Sequence, residues 1–309
     1  PVTVASFGLI PWIWLVSDWS QTCTALSTSN PRAMMIEASE IDDKFARRVG
    51  RATNPCWFDI KGMQLRVREA LLVDDHFEFI LNRPVKVKTP CEIHLKAGED
   101  KALCTEIIGG THFVLAEGKK HGPKAYIKAG ESIHIKEPHE VGGPTFLDYE
   151  IEKIERVKSL GVKKWYLSYV YDQRHVDEFR ELIGPDAELV LKIENMAGLE
   201  YVSDVYLPMP NTRLMAARGD LWVEVPRKQD ILKACKLVVE KDPDALVGSR
   251  MLLSIVRQPE ADCADLFELA ALYDMGYRNF LLCDELCLKD EWLSVAVRTF
   301  ATVRKEYMS

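Results

Sequence analysis

The sequence predicts an α/β protein built on a (β/α)8 barrel, the TIM-barrel architecture, with a β-rich insertion. Short apolar runs alternate with amphipathic segments from residue 145 to residue 307, a pattern typical of βα units and a parallel sheet. Residues 64–144 instead combine alternating apolar and polar positions with closely spaced turn signals, which are typical of antiparallel β structure. Residues 1–60 again have the character of an α/β segment.

The N-terminal part contains the first predicted elements of this fold. The predicted strands are Val2–Phe7, Ala33–Ala38 and a strand from Cys56 that leads into Asp59, and Ile41–Val49 is a predicted helix. The apolar stretch Leu9–Val16 is too short to span a bilayer. We therefore expect it to form a buried helix or strand, and we expect Trp12, Trp14 and Trp19 to pack in the core.

The insertion is marked by alternation and by turn residues. Val85–Lys88 and Ile133–Ile135 alternate with period two, and Asn82-Arg83-Pro84 and Gly122-Pro123 are turn signals. A β-rich segment inserted in a barrel is expected to lie as a lid over the strand carboxyl ends. We therefore predict a barrel domain from residues 1–63 and 145–309, and a lid domain from residues 64–144.

The βα alternation returns after residue 144. The predicted strands are Trp165–Val170, Glu188–Ile193, Arg213–Ala217, Ala245–Ser249 and Asn279–Cys283. The predicted helices are 148–160, His175–Ile183, 196–203, Arg227–Lys241, Asp262–Tyr273 and Trp292–Tyr307. The first of these helices carries Ile151, Ile154, Val157 and Leu160 on one face, as a helix packed against a sheet requires.

Composition excludes several classes of partner. The net charge of the 309 residues is -7, which argues against nucleic acid, and the dispersed Lys and Arg residues argue against an anionic membrane. The 8 cysteines lack zinc-site spacing, so we expect free thiols and a cytoplasmic protein. Four histidines of the insertion have no metal-ligand spacing either and are expected on the surface: His112, His121, His134 and His139.

The candidate chemistry lies at two strand ends. Leu189–Asn195 and Leu214–Leu221 are apolar runs that end abruptly in charge, which places Lys192, Glu194 and Asp220 at strand carboxyl ends. Barrels of this class carry their active sites there. A lysine and two carboxylates can hold a hard divalent cation together with an anionic oxyacid.

Several motifs resemble those of the pyruvate kinase family. Lys192-Ile193-Glu194-Asn195 and Ala217-Arg218-Gly219-Asp220-Leu221 match in order and spacing, and Phe58–Arg66 is similar to the family's DTKGPEIR segment. Leu167–Val170 and Gly248–Leu252 are similar to two further strand ends of the family. The resemblance covers about residues 56–300 and implies a TIM barrel with an inserted small β-barrel lid.

The resemblance implies a metal site and its roles. Glu194 and Asp220 would bind Mg²⁺ or Mn²⁺, and the metal would chelate the carboxylate and the 2-oxygen of a pyruvate-like ligand. Lys192 would lie over the reacting oxygen or phosphoryl group. Gly219 and Asp220 would offer backbone N–H groups to the substrate carboxylate, because glycine permits a close approach.

Further residues receive roles from the same resemblance. Ser249 stands where the family has threonine and keeps a hydroxyl that can relay a proton and contact the substrate. Arg66 would be either a ligand of a phosphate or second carboxylate, or a hinge residue of the lid. Arg218 is expected to be a structural bridge, and Glu224 is expected to be solvated or outside direct contact with the ligand.

The departures from the family pattern concern the part of the family's active site that binds the phosphoryl group and the nucleotide. The best counterpart of the family's R-L-N-F-S-H segment begins at Met35, so its arginine is replaced, and Ile60 replaces the threonine of DTKG. Trp222 stands where glycine is usual. We therefore expect no K⁺ site and no ordinary transfer of phosphate to ADP. The sequence ends with the last predicted barrel helix, so we expect no C-terminal regulatory domain in it.

Three functions remain open on these grounds. The first is a metal-dependent enzyme that binds a pyruvate-type or phosphoenolpyruvate-type 2-oxo acid and stabilises its enolate, as a lyase or decarboxylase would. The second is a pyruvate kinase that transfers phosphate between phosphoenolpyruvate and ADP. The third is a non-catalytic protein that binds an oxyacid. The oligomeric state is also open, with a homo-oligomer as one alternative.

Overall fold

The computed structural model describes residues 21–27, 33–37, 56–73, 76–116, 123 and 126–308. Several predicted features lie outside these residues: the strand Val2–Phe7, the segment Leu9–Val16 with the neighbouring tryptophans, the helix Ile41–Val49, and His121. The remaining predictions can be compared with the structure element by element.

Sixteen strands are described. They are β1 Gln21–Ser27, β2 Ala33–Glu37, β3 Cys56–Ile60, β4 Val67–Val73, β5 His76–Leu81, β6 Val85–Val87, β7 Cys91–Leu95, β8 Asp100–Ile108, β9 His112–Leu115, β10 Ile133–Ile135, β11 His139–Val141, β12 Lys164–Leu167, β13 Glu188–Ile193, β14 Thr212–Ala217, β15 Leu246–Gly248 and β16 Asn279–Leu281.

The described helices all follow the inserted strands. They are α1 Asp148–Ser159, α2 Gln173–Ile183, α3 Met196–Asp204, α4 Arg218–Glu224, α5 Asp230–Lys241, α6 Cys263–Met275, α7 Asp284–Cys287 and α8 Asp290–Glu306, with 3-10 turns at Lys96–Gly98 and Leu253–Val256. In this described part of the chain, no helix is both long enough and apolar enough to cross a bilayer.

Eight strands are hydrogen-bonded in the closed order β1-β16-β15-β14-β13-β12-β3-β2. The ladders from β2 through β3 and β12 to β16 are parallel, whereas β1 runs antiparallel to both β2 and β16. The α/β class is therefore confirmed, but a complete all-parallel (β/α)8 barrel is not. Only residues 28–32 separate β1 from β2, and a parallel pair needs a crossover of about a dozen residues or more.

The core of this sheet explains why its strands read as apolar runs in the sequence. Strands covered on both faces are apolar at consecutive positions, and Leu189, Val190 and Leu191 are all buried. Trp165 packs edge-on against Phe58 and Phe179, with ring centroids 5.9 and 6.0 Å apart. The strand ends that carry charge are thereby held by a rigid, close-packed layer.

The insertion contains the predicted antiparallel strands. Six of them form a sheet in the order β10-β7-β8-β9-β5-β4, and β6 pairs with β11. An isolated antiparallel bridge joins Arg66, just before β4, to Ser132, just before β10. The two edges of the sheet therefore approach each other, and the apolar residues Phe79, Ile93 and Phe113 are fully buried between them.

A buried ion pair joins the two crossings between the barrel and the insertion. The guanidinium of Arg83 donates to the carbonyls of Gly62, Pro144 and Thr145 and to Glu150. Glu150 in turn accepts the backbone N–H of Gly62 at 3.0 Å. Both chain segments that connect the insertion to the barrel are thus hydrogen-bonded to the same pair of side chains.

Candidate functional site

Lys192 and Glu194 lie at the carboxyl end of β13, where the sequence places them. The amino group of Lys192 lies 3.3 Å from Oε1 of Glu194 and 3.5 Å from Oδ2 of Asp59, and it donates to the hydroxyl of Ser168 at 2.8 Å. All four residues are buried. The ends of β3, β12 and β13 therefore meet around one ammonium group.

Asp59 and Ser168 are site residues that the sequence reasoning did not select, although both lie in the quoted motifs. Ser168 donates its hydroxyl to Asp59 at 2.9 Å, and the amino group of Lys61 lies 2.7 Å from Oδ2 of Asp59. Burial raises the pKa of Asp59, and the charge of Lys192 opposes this rise. The sequence could have indicated both residues, because each stands at the end of a predicted apolar strand.

Glu194 is positioned by the loop that follows β12. Its Oε2 accepts the backbone N–H of Tyr169 at 2.8 Å. Tyr169 has a φ of 54°, a left-handed conformation that is uncommon for a bulky residue and is typical of functional sites. Burial raises the pKa of Glu194, Lys192 lowers it, and the negative charge of Asp220 raises it further. Glu194 and Asp220 are therefore electrostatic neighbours, as a shared cation would require.

Asp220 lies in the first turn of α4, directly after β14, and not at the strand end where the sequence placed it. From this position it contacts the insertion. Gln64 donates its side-chain amide to Oδ2 at 2.7 Å, and Nε2 of His134 lies 3.3 Å from Oδ1. Burial would raise the pKa of Asp220, but the hydrogen bond and charge of His134, together with the charges of Lys192 and Arg66, lower it to about 2. This carboxyl group is accordingly ionised at neutral pH.

The prediction that His134 lies on the surface is wrong. Its side chain is 1% exposed, and Nδ1 lies 2.6 Å from Oε1 of Glu224, which also accepts the hydroxyl of Tyr169 at 2.6 Å. Burial would lower the pKa of His134, but Asp220 and Glu224 raise it to about 10. One face of β10 packs on the barrel, so both faces of this short strand are covered.

Arg66 and Glu224 belong to the boundary of the insertion and the barrel. Arg66 donates to Oε1 of Gln64 at 2.8 Å and to the carbonyl of Gly130 at 2.7 Å, and its charge lowers the pKa of both Asp59 and Asp220. The alternative that Glu224 is solvated is wrong, because its carboxylate binds His134 and Tyr169. Arg66 thus acts on the site through Gln64 and through its charge.

Ser249 and Gly219 are adjacent on neighbouring strand ends. A Cβ atom at Gly219 would lie 3.6 Å from the hydroxyl of Ser249. Ser249 has a φ of 66°, and its carbonyl accepts a hydrogen bond from Arg218 at 2.6 Å. Arg218 also contacts Glu268 at 2.6 Å, so the prediction that it is a structural bridge is confirmed.

The carboxylates at this site have the donor chemistry of a magnesium or manganese site. Both ions take oxygen ligands, and each carboxylate oxygen can accept a second partner beyond those described above. Among the residues that the structure describes, no three His, Cys, Asp or Glu side chains are arranged to hold a metal on their own. A cation between Glu194 and Asp220 would be completed by water and substrate oxygens, which is usual for Mg²⁺.

The free thiols expected from the cysteine pattern are present. Cys91, Cys104, Cys235, Cys263 and Cys283 are free in the structure. Four of them are buried, and Cys263 is exposed. None of these five residues contacts Lys192, Glu194 or Asp220 through a described hydrogen bond.

No family model matches this sequence, but curated proteins do. A pyruvate kinase of Agrobacterium vitis is 34% identical over 130 residues, which cover 40% of this chain and 26% of the relative. A pyruvate kinase of Thermoplasma acidophilum is 28% identical over 150 residues, which cover 46% of this chain and 27% of the relative.

A longer match is found to a pyruvate kinase of Methanocaldococcus jannaschii, which is 22% identical over 234 residues, covering 70% of this chain and 50% of the relative. The matched part of the chain thus spans between about a quarter and a half of the length of these three proteins. The similarity expected from the two strand-end motifs is confirmed, and the chain is related to the pyruvate kinase family.

Proposed function

We propose that this chain is a pyruvate kinase-like enzyme that binds a pyruvate-type or phosphoenolpyruvate-type 2-oxo acid through a divalent metal and stabilises the enolate. The supporting observation is the buried group of Lys192, Glu194, Asp59 and Ser168, with Asp220 as an electrostatic neighbour. A cation and a lysine side by side favour negative charge that develops on an oxygen between them.

Glu194 and Asp220 would hold Mg²⁺ or Mn²⁺ in this proposal. When bound, the ion supplies Lewis acidity to the 2-oxygen and the carboxylate of the substrate. Asp220 is well suited to this role because its pKa is lowered to about 2, so no proton has to leave before the metal binds. Asp59 balances the charge of Lys192 from the side of β3.

The protein groups around the metal have separate tasks. Lys192 is held by Ser168 and Glu194, so its ammonium group is pre-oriented and stabilises the enolate oxygen without a rearrangement. Gly219 and Asp220 would bind the substrate carboxylate through backbone N–H groups. Ser249 is adjacent to Gly219, and its hydroxyl would contact the same carboxylate or relay the proton.

We also propose that residues 64–144 form the lid of a barrel domain made of residues 1–63 and 145–309. Gln64 and His134 reach Asp220 from the insertion. A small relative motion of the insertion would therefore change the surroundings of a proposed metal ligand directly. Arg66 would act as a positioning residue in this arrangement, because it orients Gln64.

Binding of the metal and an oxyacid is tested with oxalate, which imitates the enolate of pyruvate. Thermal unfolding is measured with Mn²⁺, with oxalate, and with both together. We expect a rise in melting temperature that requires both, since a ligand at about 100 times its Kd adds about 2.7 kcal/mol of stability. Asp220→Asn and Glu194→Gln should remove this rise.

The matched control for these variants is Glu240→Gln, which changes an exposed carboxylate on a distant helix. It should leave the rise in melting temperature unchanged. If Asp220→Asn retains the full effect of Mn²⁺ and oxalate, the proposed metal site is wrong. Mn²⁺ binding measured by electron paramagnetic resonance gives the same comparison without reference to turnover.

The reaction is tested separately from binding. Proton NMR of pyruvate in D₂O with Mg²⁺ should show exchange of the methyl protons, and Lys192→Ala should slow this exchange by at least about a hundredfold. The names of the relatives favour a second candidate, transfer of phosphate from phosphoenolpyruvate to ADP. Rapid ATP formation in a separate assay with phosphoenolpyruvate, ADP and Mg²⁺ would establish that second candidate, whereas methyl-proton exchange without ATP formation supports enolate chemistry alone.

A further inference from the structure

A cleft of about 580 Å³ lies between the insertion and the carboxyl ends of β12 and β13. On the insertion side it is lined by Leu65 and Ile135, and on the barrel side by Tyr169, Tyr171 and Met196. Its volume falls within the range of about 300–1,000 Å³ that is typical of small-molecule sites. We name this space the lid cleft.

The lid cleft shares a wall with the proposed metal site. Tyr169 lines the cleft, and its backbone N–H is bonded to Glu194 at 2.8 Å. Asn195, the residue after Glu194, lines it as well, and so does Glu224, which is bonded to His134. A ligand held at Glu194 and Asp220 therefore lies beside the cleft.

The charges on the walls exclude polyphosphate ligands. Glu224 in the wall is paired with His134, and the carboxylates of Glu137 and Glu200 remain against the ammonium group of Lys136. A phosphate chain would meet more negative than positive charge there, and sites for phosphate normally present Arg, Lys or a metal. The nucleotide of a kinase reaction is consequently not the expected occupant.

The remaining surface of the cleft is apolar and aromatic. Leu65 and Ile135 from the insertion and Met196 from the barrel line the cleft together with Tyr169 and Tyr171. Burial of such a surface against a matching group of the ligand is favourable, at about fourfold in affinity for each additional methylene group. The methyl group of pyruvate is far too small to use a space of about 580 Å³.

We infer that the substrate is a 2-oxo acid with a bulky apolar substituent, aromatic or branched aliphatic, and that this substituent occupies the lid cleft. The inference rests on the proposed function, because the carboxylate and the 2-oxygen are taken to bind at Glu194 and Asp220. The cleft is then the part of the site that selects the substrate, while the strand ends contact the atoms that all 2-oxo acids share.

The experiment compares ligands that differ only in their substituent. Kd values are measured by calorimetry with Mn²⁺ for oxalate, pyruvate, 2-oxo-4-methylpentanoate and phenylpyruvate. We expect phenylpyruvate to bind at least tenfold more tightly than pyruvate, with the branched acid between them. Asp220→Asn should weaken all four ligands, because they share the same anchoring groups.

Two variants locate the substituent. Ala197→Trp adds a ring to the wall of the cleft and should remove the advantage of phenylpyruvate over pyruvate while changing the Kd of oxalate by less than twofold. Ser203→Trp places the same ring on an exposed position of the same helix. This control should change neither the preference for phenylpyruvate nor the Kd of oxalate. Tyr171→Ala removes an aromatic wall of the cleft and should also reduce the advantage of phenylpyruvate.

The outcomes separate this inference from the function on which it rests. If oxalate binds but phenylpyruvate binds no more tightly than pyruvate, the inference about the cleft is overturned and the proposed function stands. If Ala197→Trp and Tyr171→Ala leave the preference intact, the substituent lies elsewhere and the inference is also overturned. If none of the four ligands binds with Mn²⁺, the proposed function itself fails.

Discussion

The Nε2 atom of His134 lies 3.3 Å from Oδ1 of Asp220, so a strand of the insertion contacts α4, the helix that follows β14, through two charged groups. The same imidazole lies 2.6 Å from Glu224. His134 is remote in the chain from Asp220 and Glu224, which both lie in α4, and the three ionisable groups form one cluster at the proposed metal site.

The first prediction is a strong energetic coupling between His134 and Glu224. Removing one partner of a buried ion pair leaves a charge without compensation, so His134→Ala should lower the free energy of unfolding by about 3–5 kcal/mol. Combination with Glu224→Gln should show a coupling energy of about 1–3 kcal/mol. Urea unfolding of the two single variants and the double variant measures this coupling.

The control for this cycle is Glu240→Gln, which should add to His134→Ala without coupling, because the two residues share no partner. A coupling energy below about 0.5 kcal/mol between His134 and Glu224 is expected only of independent sites. That value would contradict the cluster described here.

The second prediction concerns the pair that joins the insertion to the barrel. The Arg83 and Glu150 side chains are 0% and 4% exposed and lie 3.2 Å apart. Arg83→Met removes the charged partner of Glu150 and the donor to three backbone carbonyls, so we expect a loss of about 3–5 kcal/mol in the free energy of unfolding. Denaturant unfolding at neutral pH measures the loss.

An exposed ion pair of the same insertion is the matched control. Lys86 and Glu140 are 3.6 Å apart, with side chains 85% and 78% exposed. Lys86→Met should change stability by less than about 1 kcal/mol, because solvent screens the pair. If Lys86→Met and Arg83→Met lower the free energy of unfolding equally, burial and hydrogen bonding of the Arg83–Glu150 pair do not contribute to stability.

The third prediction is a pH dependence caused by His175. Burial lowers the pKa of His175 from 6.5 to about 3, although Asp172 opposes the shift, and neither ring nitrogen has a described hydrogen-bond partner. Below pH 6.5 His175 is therefore protonated in the unfolded chain but stays neutral in the folded chain. The free energy of unfolding consequently falls as the pH falls from 6.5 towards the folded pKa. Arg83 and Arg174 act in the same direction as burial.

His175→Gln isolates this contribution. Between pH 7 and pH 5 the wild type should lose about 2 kcal/mol more free energy of unfolding than the variant, because each pKa unit corresponds to 1.36 kcal/mol. Urea unfolding of both proteins at the two pH values provides the double difference. Parallel pH profiles of wild type and variant would mean that the imidazole is not held neutral in the fold.

The fourth prediction contrasts Gly198 and Gly219, which lie near the start of the helices that follow β13 and β14. A Cβ atom at Gly198 would lie 2.6 Å from the backbone carbonyl oxygen of Val170, and Gly198→Ala should therefore cost about 1–3 kcal/mol of stability. At Gly219 the nearest atom would be the hydroxyl of Ser249 at 3.6 Å. Gly219→Ala should fold normally but should weaken oxalate binding at least tenfold, because the methyl group enters the proposed carboxylate site.

Thermal unfolding and oxalate calorimetry separate the two effects. The expected pattern is a loss of stability for Gly198→Ala and a loss of binding without a loss of stability for Gly219→Ala. Unchanged oxalate affinity in Gly219→Ala would place the substrate carboxylate away from this backbone segment. Each variant thus serves as the control for the other.

The strand ends of the barrel were predictable because the signal is local. Leu189–Ile193 is apolar at nearly every position since both of its faces are covered, and the charges of Lys192 and Glu194 interrupt that run at its end. Local patterning also predicted the boundaries of most later strands and helices within a few residues. The short helix Arg218–Glu224 was missed, because it follows its strand without a turn signal.

The contacts of the insertion could not be predicted in the same way. Gln64 lies 156 positions from Asp220 in the chain, and His134 lies 90 positions from Glu224. Alternation in Ile133–Ile135 shows that one face of the strand is apolar, but it does not show what the other face meets. The strand Gln21–Ser27 was not predicted at all, and its antiparallel direction depends on partners elsewhere in the chain.

The amino-acid sequence by itself determined the alternation of strands and helices, the β-rich insertion, and the lysine and carboxylates at strand carboxyl ends, because each of these follows from short-range patterns of apolar and charged residues. Only the tertiary structure decided that His134 and Gln64 reach Asp220, that Arg83 joins both crossings of the chain, and that a cleft adjoins the site. These features arise when the insertion packs on the barrel, and the free energy of that packing is a property of surfaces assembled from distant segments.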